Sequence, residues 1–130
     1  MRKWAFAVLA ALIGTALSPA YAERVTLTGE VTYRERIGLP ENASLRIRLV
    51  DLTAAGSPAR VEAQAAIGSP GQVPLSFTLN FDDRAIDPAH RHAIIAEITS
   101  GTELWFRNTV PYAIDPLAPA APVQVIVDLV

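Results

Sequence analysis

VTYRERIGLPENASLRIRL, residues 31–49, decides the fold class. Its second half alternates: Leu45, Ile47 and Leu49 are separated by Arg46 and Arg48. A period of two belongs to a strand with one buried face and one solvated face. Its first half ends a longer run of the same kind. There Val25, Leu27, Gly29, Val31 and Tyr33 alternate with Thr26, Thr28, Glu30, Thr32 and Arg34. Between the runs lies a corner, Arg34-Glu35-Arg36, closed by Pro40, which has no N–H for a ladder. A hairpin around residues 35–43 would set Arg34 beside Arg46 or Arg48. Glu30, Glu35 and Glu41 are close enough in sequence to neutralise that cluster.

The same period continues outward. Leu75, Phe77, Leu79 and Phe81 alternate with polar residues, as do His92, Ile94, Ala96 and Ile98. Leu104 and Phe106 share one phase, which turns Trp105 outward beside Arg107. Residues 112–114 form a short run, and Val123, Val125, Val127 and Leu129 close the chain. Residues 61–67 are weaker, because alanine packs little area. Glycine and proline punctuate the runs at 38–42, 55–58, 68–71, 87–88, 100–101 and 116–122. Only residues 83–92 leave room for a helical turn. The expectation is an all-β fold, a single β-sandwich of seven to eight short strands over residues 23–130.

Residues 1–22 read differently. Arg2 and Lys3 precede an apolar stretch from Trp4 to Leu17, and Ala20-Tyr21-Ala22 has the small residues of a cleavage site. That layout predicts a secretory signal peptide, and the stretch is shorter than the roughly 20 residues a membrane span needs. Cleavage after Ala22 would release a periplasmic or secreted chain beginning at Glu23, with no stable membrane insertion. The formal charge is −2, and becomes −4 once Arg2 and Lys3 are removed. Nucleic-acid binding, which rewards basic patches, is excluded on that balance. The sequence has no cysteine. It therefore offers no disulfide, no thiolate metal site, no cysteine nucleophile and no thiol after the signal to carry a lipid.

The stretch from Gly29 to Thr53, GEVTYRERIGLPENASLRIRLVDLT, resembles the opening of the YbaY/YscW family of bacterial envelope proteins. Tyr33 to Arg36, Ile37 to Pro40 and Asp51-Leu52-Thr53 carry the likeness. It continues through Pro70 to Pro74, Phe77, Asp87-Pro88, Ala96, Ile98, Gly101, Leu104, Phe106 and Tyr112. The resemblance implies a non-enzymatic β-sandwich of the envelope, chaperone-like toward a protein partner such as an outer-membrane or secretion component. It implies no cofactor. The chain departs from the family in lacking the lipid-bearing cysteine and in placing His92 where relatives commonly have tyrosine.

Three sets of residues could carry function. Arg34, Glu35, Arg36, Arg46 and Arg48 either pin the corner through ion pairs or form a recognition surface for a carboxylate-bearing partner. Trp105 offers a stacking platform for a sugar, and with it the alternative of a carbohydrate-binding module. Asp82, Asp83, Asp87, His90 and His92 are metal-ligating types, but their spacing matches no established ligand pattern, and the plain expectation is a polar connection with a capping aspartate and a satisfied core histidine. An envelope hydrolase using that cluster is the third reading. Adjacent Asp82 and Asp83 point apart in a strand, which is poor geometry for a carboxylate pair.

Overall fold

In a computed structural model of the protein, which describes residues 23–53, 60–119 and 122–130, the alternating runs form strands. These are β1 (Arg24–Thr32), β2 (Ala43–Asp51), β3 (Arg60–Gly68), β4 (Leu75–Asp82), β5 (His92–Ser100), β6 (Glu103–Arg107), β7 (Tyr112–Ile114), β8 (Val123–Ile126) and β9 (Asp128–Leu129). A 3-10 turn, Asp83–Ala85, follows β4, within the segment where the sequence left room for a helical turn. The signal-peptide expectation for residues 1–22 lies outside the described residues, as do the turn at 55–58 and residues 120–121 of the proline-rich segment.

The strands sort into two sheets. The smaller has the order β4-β1-β8, and the larger has β3-β2-β5-β6-β9, with β7 also on β5. Their apolar faces meet in one core. Leu27, Val31, Leu75, Phe77, Leu79, Val123 and Val125 come from the small sheet; Leu45, Ile47, Leu49, Ile94, Ile98 and Phe106 come from the large one. This is the expected β-sandwich.

Three details differ from the sequence expectation. First, β1 and β2 are not a hairpin: they belong to different sheets. Both edges of β1 are taken, by β4 antiparallel and by β8 parallel. The corner therefore carries the chain from one sheet to the other. Second, the closing run splits. β8 pairs with β1, whereas β9 pairs with β6. At the crossing, buried Val127 donates its N–H to Thr32 O at 2.9 Å, and Val130 donates to Trp105 O at 2.9 Å. That division makes nine strands among the described residues instead of seven to eight.

Third, β6 is bulged. Phe106 opposes Ile98 and Leu104 opposes Thr99, which leaves Trp105 without a cross-strand partner. An inserted residue reverses the phase of everything beyond it. Phe106 thus enters the core, whereas Leu104 lies outside with Arg46, Glu97 and Thr99. Trp105 is half-buried and packs against the core instead of projecting from the second face.

Candidate functional site

The charged corner is held by apolar packing and by side chains bonding to backbone. Tyr33 is buried and stacks on Phe106 of the opposite sheet, with ring centroids 4.1 Å apart. Its hydroxyl donates to the carbonyl of Ile37, closing the loop across four residues. Leu39 is buried, and Gln72 clasps its backbone from both sides: Leu39 N–H donates to Oε1 at 2.8 Å, and Nε2 donates to Leu39 O at 2.9 Å. Burial, and then the charge of Glu35, push the Tyr33 phenol above its ordinary value.

Between these anchors Arg34, Glu35 and Arg36 are all exposed. The ion pairs found among the described residues involve other groups, and Glu30, Glu35 and Glu41 neutralise neither arginine at 4.0 Å or less. The corner is pinned without ion pairs, which corrects that expectation. With no hairpin, Arg46 and Arg48 lie elsewhere, on the outer face of the large sheet. Arg48 Nη2 meets Glu97 Oε1 at 3.3 Å, and Glu97 opposes both Arg46 and Arg107 in the ladder. The Trp105 indole N–H donates to Glu103 Oε1 at 3.0 Å.

The aspartate–histidine stretch divides. Asp82 Oδ1 accepts from Arg84 N–H at 2.9 Å and caps the 3-10 turn, as the capping reading expected. Asp83 Oδ1 accepts from Glu23 N–H at 3.2 Å. Asp87 Oδ1 accepts from Ala89 N–H at 2.9 Å, and its other oxygen lies 3.3 Å from His90 Nε2. Those three carboxylates do not converge on one point.

The two histidines instead meet Asp51, at the end of β2. His90 Nδ1 lies 2.6 Å from Asp51 Oδ2, and Asp51 Oδ1 accepts from Thr53 N–H at 2.9 Å. The His90 bond, then the Thr53 bond, hold the Asp51 carboxyl below the usual carboxylate range; the same bond raises the His90 imidazole. Asp51 opposes His92 directly in the β2–β5 ladder, yet His92 Nε2 is 4.0 Å from its Oδ2. His92 is 4 % exposed, and its Nε2 has no hydrogen-bond partner. It is a core histidine that is not satisfied, at a cost of about 1–3 kcal/mol for such a buried group. Nothing in the alternation of β2 marked Asp51, and Glu62, which joins it, fell in the strand with the weakest signal.

Residues 22–127 match the family described as type III secretion system lipoprotein chaperone (YscW). The chain is 34 % identical over 85 residues to the uncharacterized lipoprotein YbaY of Escherichia coli (strain K12). That match covers 65 % of this chain and 45 % of the relative, so the chain spans about half the length of that lipoprotein. Among solved structures it resembles an alternative pilotin from the type II secretion system of Vibrio cholerae. The TM-score is 0.71 at 37 % identity, over 82 % of this chain and 98 % of the pilotin.

Proposed function

We propose, from the premise that this chain belongs to the YscW family of type III secretion system lipoprotein chaperones, that it is a non-enzymatic binding module of the bacterial envelope. It holds an envelope protein, an outer-membrane or secretion component, through an acidic or C-terminal carboxylate segment. The observation that carries this reading is the corner itself. Tyr33 and Leu39 fix its two ends, and Arg34 and Arg36 stand exposed between them with no carboxylate partner among the described residues. A guanidinium carried on a corner whose backbone is already held, and not spent on an internal pair, is suited to bidentate carboxylate recognition. The likeness to a pilotin over most of both chains supports a protein partner, and the family's lipoprotein relatives support an envelope location. Residues 1–22 act as the export signal, so the exported product should have the mass of a chain beginning at Glu23; a product that retains Trp4 would refute cleavage.

The experiment compares wild-type protein with the Arg34→Ala/Arg36→Ala double variant as bait for an envelope extract. Wild-type should retain a discrete partner whose binding weakens with salt. The double variant should lose most of that binding at an unchanged melting temperature, because exposed charges contribute about 0–1 kcal/mol to folding. Equal retention by both proteins would move the interface away from the corner.

A further inference from the structure

Glu62 owes its position to an irregularity in β3. Leu49 opposes Ala63 and Val50 opposes Val61, so Glu62 has no partner in the ladder and is the bulged residue. A bulge re-aims a side chain. Here it turns the Glu62 carboxylate inward, where its side chain is 3 % exposed, while the neighbouring Val61 is 44 % exposed. Inside, one carboxylate oxygen each of Asp51 and Glu62 and one ring nitrogen of His92 come within 4.8 Å of one another. Three adjacent strands, β3, β2 and β5, thus each send one donor to the same end of the core.

Two carboxylates nearly sealed from water and a buried imidazole nitrogen with no partner are an unfavourable combination unless a cation joins them. The cations paired with these two carboxylates sit at the rim. Arg60 Nε reaches Glu62 only at 3.7 Å with a side chain 74 % exposed, and the His90 side chain is 37 % exposed. Neither bonds to His92 Nε2, which has no partner.

We propose that Asp51, Glu62 and His92 form a site for one divalent first-row transition ion, with zinc as its fitting occupant. Imidazole with carboxylate is a zinc-type donor set, whereas magnesium and calcium call for oxygen alone. Bonds of ~2.0–2.2 Å place tetrahedral donors roughly 3.4 Å apart, so the 4.0 Å between Asp51 and His92 closes by well under an ångström on binding. His90 is a positioning residue: its Nδ1 holds Asp51 Oδ2 on one side while Thr53 holds Oδ1 on the other. A cleft of about 500 Å³, walled in part by Leu52, Ile86, His90 and Ile114, reaches His92, one of the three donor residues. Bound there, the ion joins the edge strand β3 to its neighbour β2 and to β5 beyond it.

The test takes protein produced from the full sequence, strips it with EDTA and dialyses it against zinc or cobalt. About one zinc per chain should remain, with a raised melting temperature, and the cobalt form should show the visible absorption of a four-coordinate site. Because a His92 variant puts folding at risk, the isosteric variants Asp51→Asn and Glu62→Gln carry the argument. Each should melt as a folded protein yet bind zinc roughly tenfold or more weakly. Failure of wild-type to retain zinc, or equal retention by Asp51→Asn and Glu62→Gln, would overturn the site.

Discussion

Tyr33 is the residue on which the charged corner turns. In the sequence it stands in phase with Val31 and Leu27, and burial follows that phase. Its hydroxyl has a separate task, since it donates to the Ile37 carbonyl and closes the loop. Tyr33→Phe keeps the stack on Phe106 and loses only that bond, so it should cost about 0.5–1.5 kcal/mol at neutral pH. The alkaline limb supplies a second readout. Burial and Glu35 raise the Tyr33 phenol above its ordinary value. A group whose pKa is raised on folding contributes stability that is fully present below the unfolded pKa, about 10 for tyrosine, and is lost as pH rises through the folded value. The wild-type melting temperature should therefore fall faster above pH ~10 than that of Tyr33→Phe. Parallel alkaline limbs in thermal melts would show that Tyr33 ionises as freely in the folded chain as in the unfolded one. Gly29 shows the reverse of a phase rule. Its place in the alternation marks an inward position, but only the pairing explains the glycine: a Cβ would come 2.7 Å from Val123 O and 2.8 Å from the Phe77 ring.

Between β6 and β7 the ladder on β5 is carried by one residue, Asn108, whose own N–H donates to Ala96 O at 3.4 Å. β6 covers residues 97–100 of β5, and β7 covers residues 92–94. Asn108 fills the interval: its Oδ1 accepts from Ala96 N–H at 2.8 Å, and its Nδ2 donates to Ile94 O at 2.9 Å and Val110 O at 3.1 Å. At 5 % exposure, no water replaces those partners easily. Asn108→Ala should cost about 1–3 kcal/mol for each backbone group left unpaired, and Asn108→Asp should not restore stability, because a carboxylate cannot donate to Ile94 O. Chemical denaturation of the three proteins checks both statements. The strands themselves were legible because a period of two needs no knowledge of the partner. The bulges at Glu62 and Trp105 were not, because a bulge exists only relative to the strand across from it. The hairpin expectation for β1 and β2 failed for the same reason. Alternation names a buried face without naming the sheet. The candidate sites followed suit: exposure of Arg34 and Arg36 could be read from their place in a turn, but the meeting of Asp51, Glu62 and His92 depends on ladder register across three strands.

At the scale of the molecule, the two ends of the fold hold each other. β8, near the C-terminus, lies parallel to β1, near the start of the described fold, with Gly29 opposite Val123 and Val31 opposite Val125. Parallel neighbours need a long crossover, and here that crossover is nearly the whole chain, so the small sheet is completed by its last strand. Val123, Val125 and Val127 are each buried to within 2 % of complete. Losing three such valines removes roughly 1.5–3 kcal/mol apiece, a total comparable to the ~5–15 kcal/mol by which a domain is stable. It also uncovers the edge of β1 and opens the core that the two sheets share. A protein ending at Pro122 should accordingly show no cooperative thermal transition, whereas one covering residues 23–130 should melt as a single unit. The comparison is made by circular dichroism melts and amide dispersion in proton–nitrogen spectra. A folded, cooperatively melting 23–122 fragment would mean that β4 and β1 close the core by themselves, and that the parallel strand is an accessory to the sandwich instead of the element that completes it.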